Sequence, residues 1–124
     1  MRASQFVAVG DNGAERIRLV PGSGDEATVA LADAGGHDRI RLLVQNDPDG
    51  STDTGIGIHA ANGKTIMRLG NTTDPELPAP LRHSANLLLR DESGQDRIRL
   101  LVSDNGDPKI ELINSAGELV WSAP

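Results

Sequence analysis

Hydrophobic and polar residues alternate along short segments of this chain, and the clearest of these segments is repeated. The stretch Asp38 to Val44 recurs letter for letter as Asp96 to Val102, and a shorter version runs from Glu15 to Val20. Charged and aliphatic side chains alternate in each copy, so a β-strand would carry the arginines on one face and the aliphatic residues on the other. A helix would scatter the same residues around its axis. The pattern therefore predicts strands.

The repeated segment belongs to a hairpin unit that occurs five times. Each unit has an alternating strand, a polar turn with glycine and a second alternating strand. The turn glycines are spaced 23, 27, 31 and 23 residues apart, at Gly13, Gly36, Gly63, Gly94 and Gly117. Short turns with glycine join antiparallel strands, and the chain has no room for the crossovers that parallel pairing needs. We therefore predict an all-β fold, an antiparallel meander of about five repeated β-hairpins with two strands each.

The two longer glycine spacings predict inserted segments between hairpins. Residues 45–55 are rich in Asp, Pro and Gly, and residues 71–86 contain three prolines. Proline has no N–H to donate to a neighbouring strand, so we expect both segments to be surface loops. The 124 residues form one all-β repeat domain, 1–124, which is long enough to bury a core of its own.

The alternation assigns 22 side chains to one apolar face of the predicted sheet. A single sheet cannot bury such a face alone. We expect the meander to close as a barrel or sandwich, or to be completed by oligomerisation. The residues expected on this face are Val7, Val9, Ile17, Leu19, Val29, Leu31, Ile40, Leu42, Val44, Ile56, Ile58, Met67, Leu69, Leu87, Leu89, Ile98, Leu100, Val102, Ile110, Leu112, Leu119 and Trp121.

Four further aliphatic residues fall on the arginine side of the same strands. They are Val20, Leu43, Leu88 and Leu101. A β-bulge could reset the alternation locally, or these residues could pack under the inserted loops. Exposed apolar patches also mark subunit interfaces, so these four residues are the candidate interface. We predict a homo-oligomer, for example a trimer in which three meanders share one core.

Composition and charge narrow the range of partners. Twelve Lys and Arg against eighteen Asp and Glu give a net charge of -6, which argues against binding to nucleic acid or to an anionic membrane. The absence of cysteine excludes disulfides, thiol catalysis and Cys-ligated zinc. The first residues contain no apolar run of signal-peptide length, and nothing later has the length of a membrane span. We expect a soluble protein, cytoplasmic by default.

The arginines are a second candidate site. They form i, i+2 pairs on three strands, which could build a row of guanidinium groups for phosphate, sulfate or carboxylate ligands. Acidic residues at the hairpin ends, such as Asp11, Asp33, Asp91 and Glu111, favour cross-strand ion pairs instead. The candidate anion contacts are Arg16, Arg18, Arg39, Arg41, Arg97 and Arg99.

Other side chains give weaker indications of chemistry. Asp47, Asp49 and Asp53 surround a glycine as calcium ligands do, but the full spacing of an EF-hand is missing, and turn chemistry explains the composition. The three histidines, His37, His59 and His83, have no metal-ligand spacing, and no Gly-x-Ser-x-Gly motif accompanies the serine next to His83. Trp121 is best explained as part of an atypical last repeat that caps the core. We expect no cofactor and no metal.

These observations favour a non-enzymatic structural or protein-interaction β-repeat module that self-associates. Its inserted segments are the expected contact surfaces, since rigid scaffolds present function on loops. The alternative is a β-barrel that binds a small apolar ligand in an aliphatic lumen, or a cyclase-like enzyme with that architecture. A lumen usually contains a few inward-facing polar groups, and the apolar set predicted above has almost none.

Overall fold

The fold is a single antiparallel sheet of ten strands in which each strand pairs with the next along the chain. A computed structural model describes residues 5–21, 26–46, 52–73, 83–103 and 105–124. No helix occurs in these ranges, and therefore none that is long and apolar enough to cross a membrane. The strands are β1 (Phe6–Val9), β2 (Glu15–Pro21), β3 (Glu26–Ala32), β4 (Asp38–Asn46), β5 (Thr52–His59), β6 (Thr65–Thr73), β7 (His83–Arg90), β8 (Asp96–Val102), β9 (Pro108–Ile113) and β10 (Leu119–Ala123).

The all-β meander of five hairpins is thus confirmed. Strands β4 and β5 extend into the segment 45–55, and β6 and β7 extend into 71–86. Residues 47–51 and 74–82 lie outside the described ranges. The sheet does not close into a barrel, because in the described chain β1 pairs only with β2 and β10 only with β9.

One turn geometry accounts for all five hairpins. In the first of them the Gly13 N–H donates to Gly10 O at 2.9 Å and the Gly10 N–H donates to Ala14 O at 2.9 Å. This is a type I turn followed by a residue with positive φ, a conformation that glycine adopts without steric strain. All five predicted turn glycines have φ between 81° and 88°. A sixth turn of the same kind, with Gly106, joins β8 to β9 at the other end of the sheet.

The strand register divides the side chains between two faces. Residues directly opposite each other in paired strands lie on the same face. The apolar face carries three rows of side chains that run across the strands. The central row is Phe6, Leu19, Val29, Leu42, Ile56, Leu69, Leu87, Leu100, Ile110 and Ala123. The row on the side of the five turns is Ala8, Ile17, Leu31, Ile40, Ile58, Met67, Leu89, Ile98, Leu112 and Trp121. The row on the opposite side is Pro21, Ala27, Val44, Thr54, Asn71, Ala85, Val102 and Pro108.

The opposite side, the arginine face, is built around one row that alternates long and short side chains. This arginine row is Val7, Arg18, Ala30, Arg41, Gly57, Arg68, Leu88, Arg99, Glu111 and Ser122. An arginine therefore occurs on every second strand from β2 to β8.

Three assignments to the apolar face were wrong. Val7 pairs with Arg18 and Val9 with Glu15, so both belong to the arginine side of β1. In the run from Phe6 to Val9 every residue is apolar, and alternation alone could not decide which pair faces which way. Leu119 pairs with Ile113, and the register shifts between Leu119 and Trp121, so a bulge separates it from the apolar face.

Candidate functional site

The apolar face is the largest exposed feature of the described chain. Thirteen of its large hydrophobic side chains are between 36% and 56% exposed, and no charged residue interrupts its three rows. The most exposed belong to Phe6, Ile17, Leu19, Leu31, Leu42, Val44, Ile56, Leu69, Leu100, Val102, Ile110, Leu112 and Trp121. Nineteen of the 22 residues predicted for the apolar face lie on it, but one chain leaves this face in contact with water.

The buried residues lie on the other side of the sheet. Ala30, Leu88 and Leu101 are 2%, 8% and 3% exposed. In the arginine row Ala30 lies between Arg18 and Arg41, so the aliphatic stems of long neighbours can cover it. The large side chains of the apolar face are mostly Leu, Ile and Val of similar length that stand side by side, so they cover one another little. Unequal side-chain length thus makes the arginine face the better buried one.

The four residues of the predicted interface all lie on the arginine face. Leu88 and Leu101 are buried within the chain, whereas Val20 and Leu43 are half-buried. Leu88 lies between Arg68 and Arg99 in the arginine row. These leucines have little surface left for a partner, and the exposed apolar surface lies on the opposite face.

Two of the predicted anion contacts instead bind the hairpin turns together. Arg39 donates to the carboxylate of Asp33, with an Nε–Oδ2 distance of 2.8 Å, and also to the carbonyl of Ala60 in the next turn. Arg97 repeats this arrangement with Asp91 at 2.8 Å and with the carbonyl of Asn114. Each of these arginines therefore closes its own turn and reaches the following one.

Two asparagines and Lys64, whose Nζ donates to Ser93 O at 2.6 Å, also connect neighbouring turns. Asn12 Nδ2 donates to Ala34 O at 2.8 Å, and Asn62 Nδ2 donates to Glu92 O at 2.9 Å. Together with the two arginines, they form a continuous belt of hydrogen bonds across the five turns at one end of the sheet. Asparagine and arginine connections alternate, so the belt repeats every two hairpins, as the copies at 38–44 and 96–102 do in the sequence.

The turn aspartates are held in their ionised form. The backbone N–H of His37 donates to Asp33 at 3.1 Å, and with the contact from Arg39 it lowers the pKa of Asp33 to about 2. The Ser93 hydroxyl and Arg97 lower the pKa of Asp91 still further. The predicted pairing of arginines with acids at the hairpin ends is therefore present at Asp33 and Asp91, whereas Asp11 forms no ion pair within the described residues.

Acids also accompany the predicted arginines in the arginine row. Arg18 pairs with Asp38, and Arg99 Nη1 lies 3.4 Å from Glu111 Oε2. Burial disfavours the charged form of Asp96, but hydrogen bonds of 2.7 Å from Arg90 and from Arg99 outweigh it and lower the pKa of Asp96. Arg16, another of the six predicted contacts, donates to Ala32 O at 3.0 Å.

Three residues outside the predicted arginine set line a pocket on the arginine face. Arg68, Arg90 and His59 surround it together with Arg41, and its volume is about 210 Å³. Arg68 lies in β6, where Met67-Arg68-Leu69 has the same alternation as the repeated strand. This alternation could have identified Arg68 as a member of the arginine row. It was not selected because β6 has no second arginine two residues away, which the i, i+2 pattern requires.

The remaining candidates are dispersed. Asp53 is in β5, whereas Asp47 and Asp49 lie outside the described residues. His37 is in an exposed turn 3.4 Å from Asp33, and His83 begins β7. In the described ranges no group of three or more acidic or histidine side chains could hold a metal ion. Trp121 lies in the last strand, on the apolar face and about half exposed.

Comparison with known proteins adds no functional assignment. No family model matches the chain, and a search of curated proteins gives no significant match.

Proposed function

We propose that this protein is a non-enzymatic structural module that associates with copies of itself through the apolar face. The observation that carries the proposal is an apolar surface without charged residues, on which thirteen large side chains are between 36% and 56% exposed. A surface of this kind on an open sheet is typical of an interaction site.

The size of the surface suits a protein interface. Ten strands about 4.8 Å apart span about 43 Å, and three rows about 7 Å apart cover a width of roughly 18 Å including the side chains. The resulting area is on the order of 700 Å², close to the roughly 800 Å² that each partner contributes to a standard interface. One further copy of the same face is therefore sufficient to cover it.

The energy gained is sufficient for association. Full burial of a large aliphatic side chain contributes about 1.5–3 kcal/mol, so covering the exposed two-fifths contributes about 1 kcal/mol per residue. Thirteen residues then supply on the order of 10 kcal/mol per chain, and two chains supply about twice that. The gain from two chains therefore exceeds even the upper end of the free-energy cost of bringing two proteins together, which is about 4–15 kcal/mol.

A second copy is the occupant best matched to this surface. The apolar rows carry no charge that would require an oppositely charged partner, and flat aliphatic faces of equal height are self-complementary. The barrel with a ligand-binding lumen is not favoured, since the sheet of a single chain is open and encloses no lumen.

The proposal is tested by measuring solution mass by sedimentation velocity at micromolar concentration. We expect the wild-type protein to sediment at a multiple of 13.1 kDa. Ile56→Lys places a charge in the central apolar row and should give a 13.1 kDa species. Val9→Lys is the matched control, because Val9 is also exposed and aliphatic but lies on the arginine side of β1.

The control variant should retain the wild-type mass, and far-UV circular dichroism should show β-sheet in all three proteins. A wild-type protein that is only a 13.1 kDa monomer at micromolar concentration would refute self-association. An Ile56→Lys variant with unchanged mass would show that association uses another surface.

A further inference from the structure

A gap in the arginine row lies at Gly57. This residue is directly opposite Arg41 on one side and Arg68 on the other. The two arginine backbones are therefore two strand spacings apart, about 10 Å. Because glycine has no side chain, the space between the two arginines is open and forms the floor of the pocket of about 210 Å³. That volume is far larger than the roughly 10–15 Å³ that one water molecule requires.

His59 lies over this gap. Its Nε2 atom is 3.2 Å from the position that a Cβ atom on Gly57 would occupy. On the other side of the ring, the Thr65 hydroxyl lies 3.3 Å from Nδ1. When that hydroxyl donates to Nδ1, the neutral ring carries its proton on Nε2, which makes Nε2 a donor into the gap.

Two nitrogen atoms on side chains that line the pocket are buried without a hydrogen-bond partner. They are His59 Nε2 and Arg41 Nε. The acids nearest to Arg41 are distant, with Glu26 at 3.7 Å from Nη2 and Asp38 at 3.9 Å from Nε. Buried polar groups nearly always have a partner, because losing water without a replacement is unfavourable. Two such groups in one pocket indicate that an acceptor belongs there.

Arg68 adds an uncompensated positive charge. Among the arginines that the structure describes, it alone has neither an ion pair nor a hydrogen bond, although it is half-buried. Arg90, at the edge of the pocket, is already bound to Asp96 at 2.7 Å. Asp53 also lines the pocket and is its one acidic side chain. The pocket therefore has three guanidinium groups and an imidazole against a single carboxylate, which leaves an excess of positive charge around Gly57.

We propose that this pocket, defined by Arg41, Gly57, His59 and Arg68, binds a small tetrahedral oxyanion such as a phosphate or sulfate group. Such an ion only accepts hydrogen bonds, and the guanidinium groups that line the pocket only donate them. Guanidinium groups make charge-assisted hydrogen bonds to these oxygens. Polar groups reach the pocket from three strands, with Arg41 on β4, Arg68 on β6 and the His59 ring on β5 between them, which suits a tetrahedral group better than a planar carboxylate.

The site does not depend on self-association. It lies on the arginine face, opposite the apolar face, and remains accessible when two apolar faces are in contact. An anion bound here would bridge β4 and β6 across Gly57 and would neutralise the free charge of Arg68.

The test is isothermal titration of the protein with inorganic phosphate at low ionic strength. We expect saturable binding, and we expect Arg68→Gln to weaken it by at least about tenfold, because a charge-assisted bond is lost. Arg16→Gln is the matched control. Arg16 also lacks an ion pair, but its hydrogen bond goes to Ala32 O at the hairpin end, and its loss should change the affinity less than about twofold.

A second variant and a site-specific signal protect the test against misfolding. His59→Asn keeps a polar side chain and should also weaken binding, and phosphate should shift the ¹⁵N resonance of His59 Nε2 in the wild-type protein. Circular dichroism should show that each variant retains its sheet. The proposal is overturned if phosphate shows no saturable binding up to about 10 mM, or if Arg68→Gln and Arg16→Gln behave alike. Neither result would affect the sedimentation test of the apolar face.

Discussion

Truncation of Leu88 to alanine separates two explanations for the aliphatic residues on the arginine face. The sequence predicted that Leu88 is part of a subunit interface. The structure buries it within one chain, 8% exposed, between Arg68 and Arg99. Leu88→Ala should therefore destabilise the chain itself and leave association unchanged.

The loss of unfolding free energy expected for Leu88→Ala follows from the burial of this side chain. Removing a buried leucine side chain costs about 2–5 kcal/mol, depending on how far the surroundings collapse into the space. The cover over Leu88 is formed by flexible arginine stems, which can settle into the cavity, so the lower half of that range applies, about 2–3 kcal/mol. For a chain of this size, such a loss lowers the melting temperature by roughly 8–12 °C.

The assay is urea denaturation monitored by circular dichroism, repeated over a hundredfold range of protein concentration. Loss of packing within a chain shifts the unfolding midpoint equally at every concentration, whereas loss of an interface makes the shift depend on concentration. Leu87→Ala is the matched control in the same strand, because Leu87 lies on the apolar face and is only half-buried. We expect its effect to depend on concentration.

The reasoning is refuted if Leu88→Ala changes the unfolding free energy by less than about 0.5 kcal/mol while weakening association. That result would mean that the arginine stems do not shield Leu88 and that the arginine face is the interface.

Three further predictions concern the hairpins. Gly70→Ala should abolish folding or strongly destabilise the chain in thermal melts, because a Cβ at this position would lie 2.0 Å from Thr54 O. The pKa of Asp33 in the folded chain, about 2, lies below its ordinary value, so its stabilising effect is present above pH 4 and declines as the pH falls from about 4 to about 2. The melting temperatures of the wild type and Asp33→Asn should therefore converge over that interval. Arg97→Ala removes the link between two turns and leaves the Asn114 carbonyl without this donor, so urea denaturation should show a loss of about 1–2 kcal/mol.

Each of these three predictions has a control variant at a comparable position of the chain. Gly55→Ala should be milder than the change at Gly70, since its nearest backbone atom would be 2.9 Å away. Gln95→Ala retains the turn aspartates and should leave the acid dependence unchanged. Arg39→Ala should match Arg97→Ala, because the two arginines make equivalent contacts. Equal destabilisation by Gly55→Ala and Gly70→Ala would contradict the steric argument. A constant difference in melting temperature between wild type and Asp33→Asn from pH 6 to pH 2 would contradict the argument from the Asp33 pKa. Different losses of stability in Arg39→Ala and Arg97→Ala would contradict the equivalence of the two turn contacts.

Much of the fold follows from local pattern alone. Strand alternation places Ile40 and Leu42 on one face and Arg41 on the other, and the glycine in each polar turn permits the positive φ that a tight hairpin needs. Both signals depend only on neighbouring residues, so no tertiary information is required to interpret them. Phe6 to Val9 shows where this fails, because every residue there is apolar and only pairing with β2 decides its faces.

The sites were less accessible from sequence because they depend on residues brought together across strands. In the sequence, Arg39 and Arg97 look equivalent to Arg41 and Arg99, which lie two residues further along the same strands. Register shifts at the hairpin ends nevertheless direct Arg39 and Arg97 to the turns. Arg41, His59 and Arg68 come from three different strands, and only the register places Gly57 between the two arginines.

The sequence by itself determined the strands, the turns and the division into an apolar and a charged face, since these follow from periodicity and from the backbone preferences of glycine. The tertiary structure alone decided that the sheet stays open, that the arginine face is the better buried one, and that the apolar face remains exposed. The physical reason is that burial depends on the lengths of neighbouring side chains across strands. Ala30 and Leu88 lie between long arginines in the arginine row and are buried, whereas the aliphatic side chains of the apolar face have neighbours of similar length and stay exposed.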